Sequence, residues 1–295
     1  MTLPTLSSAP PRYERLIAYY EEAGPDFAEW STGLNMHFGY FRAGLNPFRR
    51  EAMLNEMNRQ VLERLGLAST RDDLIVDLGC GVGASVRYAA SRFERKRVLG
   101  VTVVPWQVEV GNQLNRRAGV FPRAALELRD YTQTGLPSAS VDGAYAIESA
   151  CHADGPDKMP FVREAARLLR PGARLVVADG FLKRPRESLG ALTGRLHDVL
   201  CRSFVLPQLA EVRRFAEALA VSGFDDIRIE DASLRVAPSA LHAPVAVPWF
   251  LLKKKLRGEP LGEQRLNNLK GSFVSSVLGA HLAVCGYYLV SARRA

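Results

Sequence analysis

The 295 residues are 47% hydrophobic and 24% charged, a balance that can bury an enzyme-sized core and that excludes an intrinsically disordered chain. A formal net charge of +8 raises a nucleic-acid partner, yet the basic residues are spread rather than gathered with interleaved aromatics, so no nucleic acid is expected and most of them read as a solvated face. The four cysteines, Cys80, Cys151, Cys201 and Cys285, form no C-x-x-C pair, which argues against a zinc site or a disulfide framework and fits reduced thiols in a cytoplasm.

Met1 to Pro11 holds Ser and Pro without an apolar core, so no secretory signal and a cytoplasmic location are expected. The first sixty or so residues are rich in aromatics and fall outside the alternation that follows; residues 1–65 read as an N-terminal helical cap. Short apolar runs then alternate with helix-length segments: Leu74 to Asp77, Arg97 to Val101, Ala125 to Leu128, Val141 to Ile147 and Arg174 to Asp179. A helix from Phe161 to Leu169, closed by Pro171-Gly172, precedes the last of these. Asp226 to Glu230 and Tyr287 to Ala292 add two strands. The pattern predicts an α/β fold with a doubly wound, mostly parallel, seven-stranded sheet. Residues 66–182 form its cofactor-binding core, and 183–295 complete the sheet and carry lid insertions.

Those insertions, Leu182 to Leu206 and Pro238 to Leu282, together with the N-terminal cap, are expected to cover the carboxyl ends of the strands, where ligands bind in open α/β sheets. Val245 to Leu252 followed by Lys253-Lys254-Lys255 joins an apolar aromatic patch to a basic cluster. A lid helix with a solvated end is the favoured reading, and peripheral membrane contact through 245–257 the other. Phe273 to Val290 is mostly apolar but carries Ser275, Ser276 and His281, so a buried helix plus the last strand is expected rather than a membrane span.

The first apolar run ends in Asp77 and a turn of alternating glycines, Gly79-Cys80-Gly81-Val82-Gly83, before a helix near Ala84. Such a turn lets backbone approach a nucleotide-like ligand. Gly79, Gly81 and Ala84 also satisfy the G-x-G-x-x-A pattern of dinucleotide folds, which calls for a ribose-binding acid about twenty residues on. The second run ends instead in Thr102, with no acid before Glu109. Asp77 would repel a pyrophosphate and attract the amino acid end or sulfonium of a cationic ligand, which favours S-adenosylmethionine.

Tyr145-Ala-Ile-Glu-Ser-Ala-Cys-His-Ala153 resembles sterol C24-methyltransferases, and Gly100-Val-Thr-Val-Val-Pro-Trp-Gln107 resembles the corresponding loop of tocopherol methyltransferases. Trp30 to Tyr40 is similar to the aromatic, His-containing region that closes over the cofactor in these enzymes, and the segments from Leu196 to Pro238 are closer to the tocopherol type. The resemblance runs from about Tyr20 to the C-terminus. It implies a class I, S-adenosylmethionine-dependent methyltransferase that needs no metal. By the same resemblance Asp77 and the Gly79, Cys80 and Gly81 backbone would hold the methionine part, Thr102 and Gln107 the ribose, and Asp130 with Tyr131 the adenine, under a cover from Tyr20.

Glu148 and His152, four apart past the fourth strand, suit two chemistries: stabilising and deprotonating a methylated alkene, or deprotonating a phenol so that its ring carbon attacks. Glu148 would also touch the cofactor. The plainer alternatives are a loop cap for Glu148 and a structural histidine for His152. His37 and Tyr40 are further catalytic candidates in the N-terminal cap. The expected activity is C-methylation of a hydrophobic isoprenoid or prenyl-aromatic small molecule, with O- or N-methylation of a specialised metabolite as the alternative, and with self-association left open. A cofactor-binding protein without turnover is a further class. A nucleic-acid methyltransferase fits poorly, because Glu148-Ser-Ala-Cys151 stands where those acting on adenine or cytosine carry an Asn/Asp-Pro-Pro-aromatic or Pro-Cys element.

Overall fold

Strands buried on both faces read as near-continuous apolar runs, and the chain uses five of them in succession to build the parallel part of one sheet. The computed structural model describes residues 11–67, 73–258 and 261–295; residues 1–10, most of the stretch read for an export signal, lie outside these. Helices α1 (Pro11–Ala23), α2 (Phe27–Trp30) and α3 (Arg50–Arg64) come first. The alternation follows as β1 (Leu74–Leu78), α4 (Ala84–Arg92), β2 (Arg97–Thr102), α5 (Pro105–Arg117), β3 (Ala124–Leu128), β4 (Val141–Ile147), α6 (Met159–Leu168) and β5 (Leu169–Leu182). Then come α7 (Ala191–Ser203), β6 (Ala210–Glu211), α8 (Val212–Val221), β7 (Phe224–Asp231), α9 (Ser233–Ala240), α10 (Ala243–Leu256), α11 (Glu263–Ala280) and β8 (Cys285–Arg294).

In space the strands run β3-β2-β1-β4-β5-β8-β7, with the two-residue β6 beside the end of β5. The first five are parallel, and β8 is antiparallel to both β5 and β7. Side chains alternate across the sheet: Val76, Leu78 and Ala144 pack with Phe161 and Phe215 on one face, Ile75 and Tyr145 with Met57, Val61 and Val86 on the other. Because β1 sits between β2 and β4, the chain reverses direction of winding there, and the carboxyl ends of these strands flank the crevice that such folds use for ligands.

All seven expected strands are present, and β6 is added; two residues are too few to carry a period. Pro171-Gly172 does not separate helix from strand as expected. Helix α6 ends at Leu168, β5 starts at once, and Gly172, at φ +84°, lies where the pairing skips from Val141 opposite Leu169 to Gly143 opposite Arg174. The segment Phe273 to Val290 does divide into a helix end and a strand, but α11 buries only Gly271, Val274 and Leu278, and Phe273 and Val277 face solvent.

The two coverings touch each other. Tyr19 on α1 donates to Asn268 Oδ1 on α11 at 2.8 Å, and Lys253 on α10 pairs with Glu29 on α2 at 2.5 Å.

Candidate functional site

The turn after β1 forms the floor of a cleft at the strand ends. Gly79, at φ +99°, could not carry a Cβ, which would stand 2.4 Å from Ser149 Cβ. Gly81 faces Met36 across the cleft, where an added Cβ would meet only the flexible Sδ at 3.0 Å. Gly83 is needed for another reason than ligand approach: it packs against Leu126 of β3 and does not line the cleft. The amides of Gly79 and Cys80 both donate to Val101 O at 3.0 Å, which ties the turn to β2.

Asp77 closes the floor. It is buried, accepts from Ser85 Oγ at 2.5 Å, and its carboxyl is pushed up to about 7 by that burial. No basic side chain acts on it among the described residues. Tyr145, opposite Asp77 in the β1–β4 register, keeps its hydroxyl fully buried without a hydrogen bond of ordinary geometry. A buried acid with no cation of its own suits a positively charged ligand.

Further along, Thr102 Oγ1 donates to Gln107 Oε1 at 2.6 Å, so both buried side chains enter the wall as a pair at the β2–α5 junction. Asp130 closes its own turn by accepting from Thr132 N and Oγ1 at 2.7 Å, and still accepts from Tyr13 on α1 at 2.6 Å. The turn role and the cleft position therefore coexist. Tyr131 donates to Ser149 O at 2.9 Å and stands edge-on to Phe161.

The opposite rim is made by the segment after β4. Glu148 has φ +50°, an uncommon backbone for a non-glycine residue and one that occurs preferentially at sites where structure over-determines it. Its Oε1 accepts from Phe38 N at 2.7 Å and from Tyr287 Oη at 3.0 Å, and burial, reinforced by Asp179, pushes its carboxyl up to about 8. His152 ends the short turn Ala150–His152, with Nε2 3.2 Å from Tyr20 Oη. That turn is clamped at both ends. Asp179 accepts from Cys151 N at 2.9 Å, and the buried Lys158 ammonium donates to Cys151 O at 3.1 Å and Ala153 O at 2.8 Å.

Every cofactor-binding candidate read from the sequence lines this cleft: Tyr20, Asp77, Gly79, Cys80, Gly81, Thr102, Gln107, Asp130, Tyr131 and Glu148. So do His152 and His37, but His37 is fully engaged, with Nδ1 2.8 Å from Phe38 O and Nε2 3.2 Å from both Asn35 and Asn58 Oδ1. Burial lowers its pKa. Tyr40 is not brought to the cleft; it packs beside Phe38 against the sheet layer that holds α3. Sequence reasoning missed Tyr13, Leu16, Met36 and Ser85 in the wall, and Tyr287 behind Glu148. Tyr13, Leu16 and Tyr20 had a readable signal, since their spacing puts them on one face of a helix.

A mostly parallel sheet with β8 reversed, a glycine turn after β1 and an uncompensated buried acid at the switch point together define a methyltransferase fold with room for a cationic nucleoside donor. The family model "Methyltransferase domain" matches residues 76–177. The probable chloroplastic tocopherol O-methyltransferase of Oryza sativa subsp. japonica is 32% identical over 78% of this chain and 65% of its own. The 27-O-demethylrifamycin SV methyltransferase of Amycolatopsis mediterranei is 30% identical over 92% of this chain and 94% of its own. In structure, geranyl diphosphate C-methyltransferase from Streptomyces coelicolor A3(2) superposes with a TM-score of 0.73 at 20% identity, covering 97% of this chain and all, 100%, of that one. The chain belongs to the class I S-adenosylmethionine-dependent methyltransferases, and it is similar to the tocopherol and sterol C24-methyltransferases. It spans 64–66% of the length of the tocopherol and sterol relatives it matches.

Proposed function

We propose that this protein transfers the methyl group of S-adenosylmethionine to a carbon atom of a hydrophobic isoprenoid or prenyl-aromatic small molecule. The observation that carries the reading is Glu148, a half-buried carboxyl on the rim opposite Asp77, held from two sides and within a partly aromatic wall. When bound, the donor supplies an electrophilic methyl group on a sulfonium. The residues of this chain bind and orient it: Asp77 faces its positive end, Thr102 and Gln107 its ribose, Asp130 and Tyr131 its adenine, and Tyr20 covers it. In this scheme residues 66–182 hold the donor and the N-terminal segment closes over it.

With an alkene acceptor, Glu148, ionised above its value of about 8 or by the charge of the bound donor, stabilises the positive charge that develops on carbon, and Glu148 or His152 removes the proton that restores neutrality. With a prenylated phenol, the acceptor hydroxyl takes the place of Tyr20 Oη, 3.2 Å from His152 Nε2, and gives that nitrogen its proton. The relatives whose names denote tocopherol and a sterol support a lipophilic acceptor. O-methylation is the second reading. It is favoured by the relative matched over nearly its whole length, whose name denotes an acceptor lacking an O-methyl group.

Methyl-labelled donor and a panel of sterols, linear terpenoids, prenylquinols and hydroxylated macrocycles decide between them. A product carrying the label on carbon by NMR supports the first reading; label found only on oxygen overturns it.

A further inference from the structure

Helix α10 faces the wrong way for a lid. Of the residues lining the cleft none lies beyond His152, and α10 buries only Ala243 and Phe250. Val247 and Leu251 are half-buried, and four large apolar side chains point to solvent: Val245 is 73% exposed, Trp249 66%, Leu252 46% and Leu256 78%. Spaced i, i+4, i+7 and i+11, they form one stripe along the outside of the helix. Phe48, 86% exposed, extends it, because His242 Nε2 lies 2.8 Å from Pro47 O and ties the Phe48 loop to the start of α10. Single exposed apolar residues are ordinary, whereas a continuous stripe marks a contact surface.

The charge beside the stripe identifies the partner. Residues 241–257 hold Lys253, Lys254, Lys255 and Arg257 and no Asp or Glu; Lys253 pairs with Glu29 on α2, and Glu259 and Glu263 follow the segment, so the local excess of positive charge is smaller than four. A second copy of the chain would bring a second cationic cluster and no acid on this segment to answer it. An anionic lipid surface supplies both halves of the complement, acyl chains for the stripe and phosphate headgroups for the lysines. At 14 residues α10 is about 21 Å long, short of the roughly 30 Å hydrocarbon core, and no described helix is long and apolar enough to cross a membrane.

We infer that α10 and the Phe48 loop dock this protein peripherally on an anionic membrane, with α10 lying in the headgroup plane. The further step, that the docked enzyme draws its acceptor from the bilayer, rests on the proposed lipophilic acceptor; the docking itself does not.

Flotation with phosphatidylcholine vesicles, with and without phosphatidylglycerol, tests the docking in the full chain without any acceptor. Wild-type protein is expected to float only with the anionic vesicles at low salt and to be released by high salt. The Trp249→Ser/Leu252→Ser double variant is expected to stay in solution while binding S-adenosylmethionine with unchanged affinity, which shows that it is folded. Absence of flotation at low salt, or equal flotation of the double variant, overturns the inference. So does a wild-type dimer in light scattering that the double variant abolishes, since a second copy would then cover the stripe. Because no methyl transfer is measured, these outcomes leave the proposed reaction untouched, and its failure in the labelling experiment would leave the docking untouched.

Discussion

The two coverings of the sheet are similar in apolar content and opposite in the direction they face. The N-terminal one turns Tyr13, Leu16, Tyr20, Leu34, Met36 and His37 inward to the cleft. The C-terminal one turns Val245, Trp249 and Leu252 outward. The difference lies in anchoring. The N-terminal loop is stitched by Glu51, which accepts from Ser31 Oγ, Thr32 N and Asn35 Nδ2, by Arg87 on Gly33 O, and by Glu148 on Phe38 N. Hydrophobicity alone therefore does not distinguish a lid from a docking face; the polar groups that hold the backbone decide which way the stripe points.

The cleft floor, proposed to hold the donor, belongs to neither covering and fixes the scale on which they can be compared. Asp77→Ala is expected to weaken S-adenosylmethionine binding more than about 100-fold by titration calorimetry, since losing one side of a buried charge pair costs roughly 3–5 kcal/mol. Binding within threefold of wild type would place the cationic end of the donor elsewhere.

Glu148 would join the inward covering to the proposed reaction, and its two roles separate by substitution. Glu148→Gln keeps an oxygen to accept from Phe38 N and Tyr287 Oη, so the N-terminal loop stays in place, but it removes the charge. Turnover is expected to fall about 100-fold with donor affinity changed less than about threefold. Unchanged turnover would leave Glu148 as a latch for Phe38 and nothing more. The coverings themselves are compared by Tyr20→Ala and Trp249→Ala. The first is expected to cost about tenfold in donor affinity, in keeping with a buried aromatic contact, and the second to stay within about twofold. Equal losses would erase the distinction between an inward and an outward face.

The sheet was legible because buried parallel strands are written as apolar runs: Val141 to Ile147 coincides with β4, and Leu74 to Asp77 falls one residue short of β1. That these residues line one cleft was legible because they follow strand ends in local order, Asp77 before the glycines and Thr102 five residues before Gln107. Ser85 could have been found as the partner one turn into the next helix. The N-terminal loop was not legible. Trp30 to Tyr40 has no period, and His37 faces the cleft while Tyr40 does not because Asn58 and Met53 on α3 hold them there, a contact across the chain that no local pattern encodes. Tyr287 behind Glu148 is hidden for the same reason, at a separation of 139 residues. The side to which α10 turns its stripe was not legible either, since facing is a tertiary property that the period does not carry.

The last expected effect concerns pH, and it sharpens the contrast because the titrating acids sit under the inward covering alone. Burial holds Asp77 at about 7, Glu148 at about 8 and Asp179 at about 6, all above the value near 4 of an unfolded chain. Between those limits the folded protein binds more protons than the unfolded one, so the contribution of these groups is greatest below about pH 4 and is lost as pH rises through the folded values. The melting temperature of the ligand-free protein is therefore expected to decline from about pH 5 to about pH 9. S-adenosylmethionine, being cationic, favours the ionised form of Asp77. Its binding should release protons near neutrality, strengthen as pH rises, and flatten the decline in melting temperature. Scanning fluorimetry with and without donor, and calorimetry in buffers of different ionisation enthalpy, measure both effects. Glu148→Gln should remove part of the slope and Trp249→Ala none of it. A melting temperature that climbs over this range without donor would mean that a basic group of the protein already neutralises the floor, and that the cleft is not built to await a cation.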